Sequence, residues 1–328
     1  MPGDQKFFGY LEALGYGSVI KQKTLKSSIS CSGIGLHSGE KISMTLHPAG
    51  VGTGIVFRRT DLAGGGVEIP ASFDRVCDTR MCTTLGSAEG KTIATVEHLM
   101  AALAGAGIDN ALIEVGGAEV PVMDGSAAPF MFLIDCAGVV EQDARRKGIR
   151  VLRAVSVVDG EKSVSLTPAD GFSVDFQIEF DNAVIGSQTL ALDLTDGVFK
   201  NEIARARTFG FLHEAEALWA AGLAKGASLD NAVVVSGDKV MNEDGLRFDD
   251  ECVRHKVLDA VGDLYLAGSG LMGHYSACRG SHALNNSLLR KLFSDPKNFA
   301  WVDMMPPGAA PRLAGASWAK EAVAASPA

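Results

Sequence analysis

The stretch FDDECVRHKVLDAVGDLYLAG, residues 248–268, reads as a helix: acidic residues crowd its first turn, apolar residues recur at helical spacing, and Gly268 marks its end. TIATVEHLMAALAGAG (92–107) reads the same way and is stopped by Gly105 and Gly107. Each carries a histidine near its start, His98 or His255, and each follows strand-like text. KISMTLHPA and GIVFRRT precede the first helix with period-two alternation, and the β-branched run ALIEVG follows it. IRVLRAVSVV, KSVSLTPA, FSVDFQIEF and SQTLALDL precede the second. Residues 203–224 read as helical, DNAVVVS as a strand and SHALNNSLLRKLFSD as a last helix. Strands followed by helices, without strict βαβ alternation, argue against Rossmann and TIM architectures. The expected class is α+β: two similar domains, each a sheet with packed helices, the helices meeting at the domain interface in a βααβ sandwich.

A chain of 328 residues, at about 150 per domain, has room for two such units. The polar stretch EQDARRKG (141–148) is the expected boundary, since charge density rises there and hydrophobic periodicity stops. The division is then an extension over 1–22, a first domain over 23–143, a second over 149–296 and a weakly ordered Pro/Ala/Gly-rich tail over 304–328. The chain is 47% hydrophobic and 21% charged, which excludes a disordered or low-complexity protein. Its mean hydropathy, +0.15, is slightly apolar for a soluble protein. A net charge of −9 offers no broad basic surface to a nucleic-acid backbone, though a local basic pocket for a small anion remains open. Six cysteines without a CxxC pair point to reduced thiols in a cytoplasmic setting. No run approaches the ~18 apolar residues of a spanning helix, and the N-terminus lacks a signal-peptide pattern.

The chemistry concentrates on the two helices. His255 and Asp259 stand four apart and project from one face, able to grip one Zn²⁺, and Asp263 continues the stripe. A solvated acidic face with an incidental histidine would look similar. Glu97 and His98 are adjacent, able to flank a common site, His98 as ligand and Glu97 as general base; a plain helix-surface pair is the alternative. Taken together, His98, His255 and Asp259 make a two-imidazole, one-carboxylate set with a fourth position open, as catalytic zinc requires. Iron suits the same set. His282, just before the last helix, reads equally as an acid or as a histidine without a role. The glycine-rich turn Gly33–Gly39, with His37 at its tip, lacks phosphate-loop spacing and reads as a turn near a ligand. Gly125-Ser126-Ala127 is no serine-hydrolase elbow, and Cys77 and Cys82 read as core or pocket thiols.

At these motifs the sequence resembles the UDP-3-O-acyl-N-acetylglucosamine deacetylases, the zinc amidases of lipid A biosynthesis in Gram-negative bacteria. The matching text is GIGLHSGE, FRRTDL, DTRMCTTLG, TVEHLMAALAGAGIDNALIEV, PVMDGSAAPF, ARTFGF, NEDGLRFDDECVRHKVLDAVGDLYL and SHALNN, spread from about Thr24 to about Phe293. The resemblance implies one Zn²⁺ per chain held by His98, His255 and Asp259, with Glu97 as general base and His282 as general acid. It implies further that Thr208 serves the oxyanion, that Lys256 contacts substrate oxygens and that Asp263 orients His282. Met81, Cys82, Phe209, Phe211, Ser228 and Val234 would then meet the substrate, an acylated UDP-sugar. A βαβ insert at about 211–235 would wall a passage for the acyl chain with Leu212, Leu218, Trp219 and Leu223. Ala227 stands where relatives commonly carry a second glycine. The implied protein is a cytoplasmic monomer with no nucleic-acid partner and no transmembrane segment. An amidase for another acylated sugar or nucleotide is the nearest alternative; a non-catalytic binding module would have no need of these residues.

Overall fold

In a computed structural model the described residues are 19–64, 66–305 and the backbone of 312–313. The expectations for 1–18 and for the tail beyond Met305 lie outside them, apart from Arg312–Leu313, whose backbone pairs with Val302–Asp303. Alternating sequence gives the first sheet its two faces. Its five strands run in the order Ile29–Ile34, Lys41–Pro48, Ala111–Val115, Ile55–Arg59 and Val67–Pro70. Ile42, Met44, Leu46, Phe57, Ile69, Ile113 and Val115 turn inward and are buried. Helices α1 (Glu97–Ala106) and α2 (Ala128–Ala137) cover that face with Leu99, Leu103, Phe130 and Ile134. Gly107 ends α1 in the left-handed conformation, as its position predicts.

The second half repeats the plan. Leu271–Cys278 is the central strand of an eight-stranded mixed sheet. It pairs antiparallel with Lys162–Thr167, parallel with Phe172–Glu179 and, at its first two residues, parallel with Lys147–Val151. A short helix, α3 (Ala215–Ala220), precedes the two long helices of this half, α4 (Glu251–Tyr265) and α5 (His282–Phe293). Val253, Val257, Leu258 and Leu264 of α4, with Leu284, Leu288 and Leu292 of α5, join Val164, Leu166, Val174 and Phe176 of the sheet in the core. The α1–α4 pair is the main helix–helix contact of the molecule, so sheet, helices, helices and sheet stack in an α+β sandwich. No helix among the described residues is long and apolar enough to cross a membrane. All six cysteines are free.

One local reading changes. Residues 203–224 do not form one helix. Phe209–Phe211 instead pairs parallel with Val233–Val235, and the helical pieces are the end of a π-helical turn at Ile203, the turn Leu212–Glu214 and α3. The β-prone Thr208-Phe209 step and Gly210 favour the small sheet once it offers backbone partners. The polar stretch 141–148 spans the end of one strand and the start of another: Val139–Arg145 pairs antiparallel with Lys21–Leu25, one face exposed, and Lys147–Val151 begins after Arg146. Its half-buried Gln142 is satisfied by Ala49 O and Asn110, which is why a polar sequence can pair here.

The sandwich closes on a glycine. A Cβ at Gly262 in α4 would overlap the Glu97 carbonyl and crowd the Ala101 amide of α1. In an exposed helix, Gly→Ala gains about 1 kcal/mol; here the obstruction is backbone, and overpacking costs about 1–3 kcal/mol or more. Gly262→Ala is therefore expected to destabilise the fold by about 2 kcal/mol. Thermal unfolding should show a Tm several degrees lower, and an unchanged or raised Tm would contradict this packing.

Candidate metal centre

The helix contact brings the first turn of α1 against the middle of α4. His255, Asp259 and Asp263 rise along one face of α4, each one turn from the last, and Glu97 and His98 open α1. His255 Nε2 lies 3.3 Å from Asp259 Oδ1 and His98 Nε2 lies 3.5 Å from the same oxygen. One ligand atom from each of the three lies within 4.8 Å of the others, and all three residues are buried. The imidazole rings stand edge to face, centroids 4.9 Å apart.

Proton bookkeeping tests whether a cation fits. His255 Nδ1 faces Ala206 O at 3.1 Å; a carbonyl only accepts, so Nδ1 carries the proton and Nε2 presents its lone pair to the centre. Burial lowers the His255 pKa to about 3, against the opposing charge of Asp259, so the ring is neutral and able to ligate. Burial would raise the Asp259 pKa, but the Lys256 ammonium beside it holds it well below the usual carboxylate range. Lys256 Nζ donates to Asp259 Oδ2 at 2.8 Å, while Oδ1, buried and aimed at the histidines, has no hydrogen-bond partner among the described residues. An orphaned carboxylate oxygen costs about 1–3 kcal/mol or more. A divalent cation among these three atoms removes that cost, and the donor set suits zinc or iron.

A second cluster adjoins the first. Glu97 Oε2 accepts from Thr83 N at 3.0 Å, which leaves Oε1 open, 3.9 Å from His282 Nε2. Burial raises the Glu97 pKa, with His282 and His98 opposing. Asp263 is held on three sides: Oδ1 accepts from Thr83 Oγ1 (2.5 Å), and Oδ2 meets His282 Nδ1 (2.7 Å) and Asn285 Nδ2 (2.9 Å). Tyr275 donates to Asn285 Oδ1 at 2.6 Å and so fixes which end of that amide faces Asp263. Burial would lower the His282 pKa, but the Asp263 charge and hydrogen bond more than offset it and lift it to about 9. At neutral pH His282 is an imidazolium with Nε2–H directed toward Glu97.

Of the other expected residues, Phe209 stands edge-on to His255 and under the Lys256 ammonium. Thr208 is fixed through its backbone, donating to Gly125 O and accepting from Val233 N. Cys82 is buried beside Glu97, its thiol pushed up to about 12 by burial and that carboxyl, and Met81 is half exposed with φ 68°. Phe211, Ser228 and Val234 lie in the insert, apart from the hydrogen-bonded cluster; Phe211 packs on Phe180.

Several residues of the site carry no periodic or donor-spacing signal in the sequence, although Thr83, Thr95 and Asn285 fall within the matching motifs. Thr83 joins both carboxylates, and Asn285 sits among the helix residues of SHALNN without a periodic signature. Glu119 accepts from the backbone of His37 and Ser38 and from Thr95 Oγ1. Thr95, β-branched yet at φ 59°, is a strained residue two before Glu97, and that hydroxyl bond helps hold it. The Gly33–Gly39 turn does meet another segment: Leu36 O and His37 O accept from Gly226 N and Lys225 N of the insert. A Cβ at Gly226 would overlap Gly35 O, so the glycine demanded by this approach is Gly226, one residue before Ala227.

A family model described as UDP-3-O-acyl N-acetylglycosamine deacetylase matches residues 22–294. The UDP-3-O-acyl-N-acetylglucosamine deacetylase of Teredinibacter turnerae is 53% identical over 285 residues, 86% of this chain and 93% of that protein. Its namesake from Hahella chejuensis is 52% identical over 295 residues, 89% of this chain and 97% of the other. That of Pseudomonas entomophila is 53% identical over 279 residues, 84% and 91% of the two chains.

The electrostatics of the second cluster are open to titration. In chelator-stripped protein the His282 ring should titrate near pH 9, and Asp263→Asn, which removes the raising charge, should bring it toward the ordinary value of about 6.5. Histidine C–H resonances followed against pH measure both; an unmoved His282 in the variant would contradict the pairing.

Proposed function

Because this chain belongs to the UDP-3-O-acyl-N-acetylglucosamine deacetylase family, we propose that it hydrolyses the N-acetyl group of a UDP-3-O-acyl-N-acetylglucosamine, releasing acetate and the free amine for lipid A biosynthesis. The observation that carries this reading is the convergence of Glu97, His98, His255, Asp259 and His282 at one buried junction. His98, His255 and Asp259 hold the ion, which we assign as one Zn²⁺ per chain; when bound, it supplies Lewis acidity that polarises the amide carbonyl and acidifies water.

Glu97 Oε1, the oxygen not used by Thr83, takes the proton of the attacking water as general base. His282 Nε2–H delivers a proton to the leaving amine, and Asp263 keeps the ring charged and oriented for that task. The Thr208 hydroxyl and the Lys256 ammonium stabilise charge that develops on substrate oxygens. Met81, Cys82, Phe209, Phe211, Ser228 and Val234 line the substrate, and the 3-O-acyl chain runs along the insert. Leu212, Trp219 and Leu229 are large apolar side chains that the insert leaves exposed, which supports an apolar ligand there. On this reading the catalytic unit divides into 23–143 and 149–296, with the insert at about 211–235, and works as a cytoplasmic monomer.

Metal analysis paired with turnover of the acylated UDP-sugar tests the proposal. A chelator should abolish turnover and Zn²⁺ restore it; undiminished turnover in metal-free protein would sink the mechanism. His255→Ala should lose the metal, whereas Glu97→Gln should keep it and lose roughly 10²-fold or more in kcat. Equal metal loss in both would show that ligand and base are confused. The rate should fall as pH rises through the His282 pKa, because the protonated ring is the donor. Asp263→Asn, by lowering that pKa, should move the fall to lower pH.

A further inference from the structure

Glu251 opens α4 one turn before His255 and is fully buried. Its Oε1 accepts from the backbone N–H of Arg207 and from Arg207 Nε, both at 2.9 Å. Its Oε2 accepts from a terminal guanidinium nitrogen of Arg207 at 3.1 Å and from Arg247 N at 2.7 Å. The N–H of Arg207 and the carbonyl of Ala206 belong to one peptide group, and that carbonyl accepts from His255 Nδ1 at 3.1 Å. Carboxylate, peptide and imidazole thus form one hydrogen-bonded series that ends at His255 Nε2, in the metal centre.

We propose that Glu251 is a positioning residue for the metal-ligating nitrogen of His255, acting through the Ala206–Arg207 peptide. The inference rests on the assignment of His98, His255 and Asp259 as the metal-holding set. Its chemistry is that of the carboxylate partners that orient ligating histidines, with a peptide group interposed. An anion accepting the peptide N–H draws the amide resonance toward C–O⁻, so the carbonyl becomes a stronger acceptor. A stronger acceptor on Nδ1–H fixes the tautomer, holds the ring plane and enriches Nε2 in electron density. Arg207 keeps the Glu251 charge in place: burial would neutralise the carboxyl, but the Arg207 bonds and the Arg247 amide hold its pKa below the ordinary value. The guanidinium also donates to Gly245 O at 2.8 Å, tying the series to a second loop. Because Glu251 and His255 share one helix turn, the series closes into a ring that the α4 backbone itself gauges.

A pair that served stability alone would affect unfolding without touching metal affinity. Glu251→Gln keeps the size of the side chain and an acceptor for the Arg207 amide but removes the charge. Competition against a chromophoric chelator, with Zn²⁺ and with Co²⁺, should show roughly 10- to 100-fold weaker binding, and the Co²⁺ visible bands should shift. Leu166→Ala, a core truncation in the second sheet, should lower Tm while leaving affinity unchanged. Binding by Glu251→Gln within twofold of wild type, or equal weakening by Leu166→Ala, would overturn the proposal. A wild-type chain that binds no more metal than Asp259→Asn would overturn the metal assignment instead. Should Glu251→Gln fail to fold, wild-type protein labelled with ¹⁵N-arginine decides: the Arg207 amide proton should move downfield on Zn²⁺ loading, and an unmoved resonance would refute the relay.

Discussion

Backbone meets backbone where α4 crosses α1, and the rest of the molecule is arranged around that approach. Gly262 is the residue that permits it, lying against the Glu97 carbonyl with no side chain between. Gly262 also sits between Asp259 and Asp263, and Glu97 is the first residue of α1. The closest point of the two helices is therefore the point at which their functional side chains fan out. A larger residue would push α1 away from α4, and with it His98 from Asp259, so packing and the spacing of these side chains depend on the same contact.

Around this seam the buried charges are sorted by their neighbours. Asp259 is kept ionised by Lys256 and left with one bare oxygen, the environment of a ligand. Glu97 is raised by burial and keeps one oxygen free, the environment of a base. His255 is driven neutral and His282 is kept charged, although both are histidines at the same junction. The difference lies in what each Nδ1 meets: a carbonyl for His255, a carboxylate for His282.

Legibility in the sequence followed the range of the interactions. The α+β class, helices α1, α4 and α5 and most strands follow from local periodicity. The stripe of His255, Asp259 and Asp263 follows from helical spacing alone. The His98, His255 and Asp259 set is legible as a combination of donors, but nothing local links the two helices that carry them, which stand far apart in the chain. The role of Thr83 was invisible for the same reason: its hydroxyl serves an aspartate 180 residues away from a loop without periodicity. Residues 203–224 misled because the partner strand that decides their state, Val233–Ser236, lies downstream of the window being read.

The seam also has a meaning in time. During synthesis the chain delivers His98 well before His255 and Asp259, so for almost half of translation it owns a single imidazole of that set. On the proposed assignment that imidazole becomes one of three ligands only when α1 and α4 have met, a contact of long range in the chain. Acquisition of the proposed ion would thereby register completed docking: a chain whose halves have met incorrectly has no full ligand set with which to retain it.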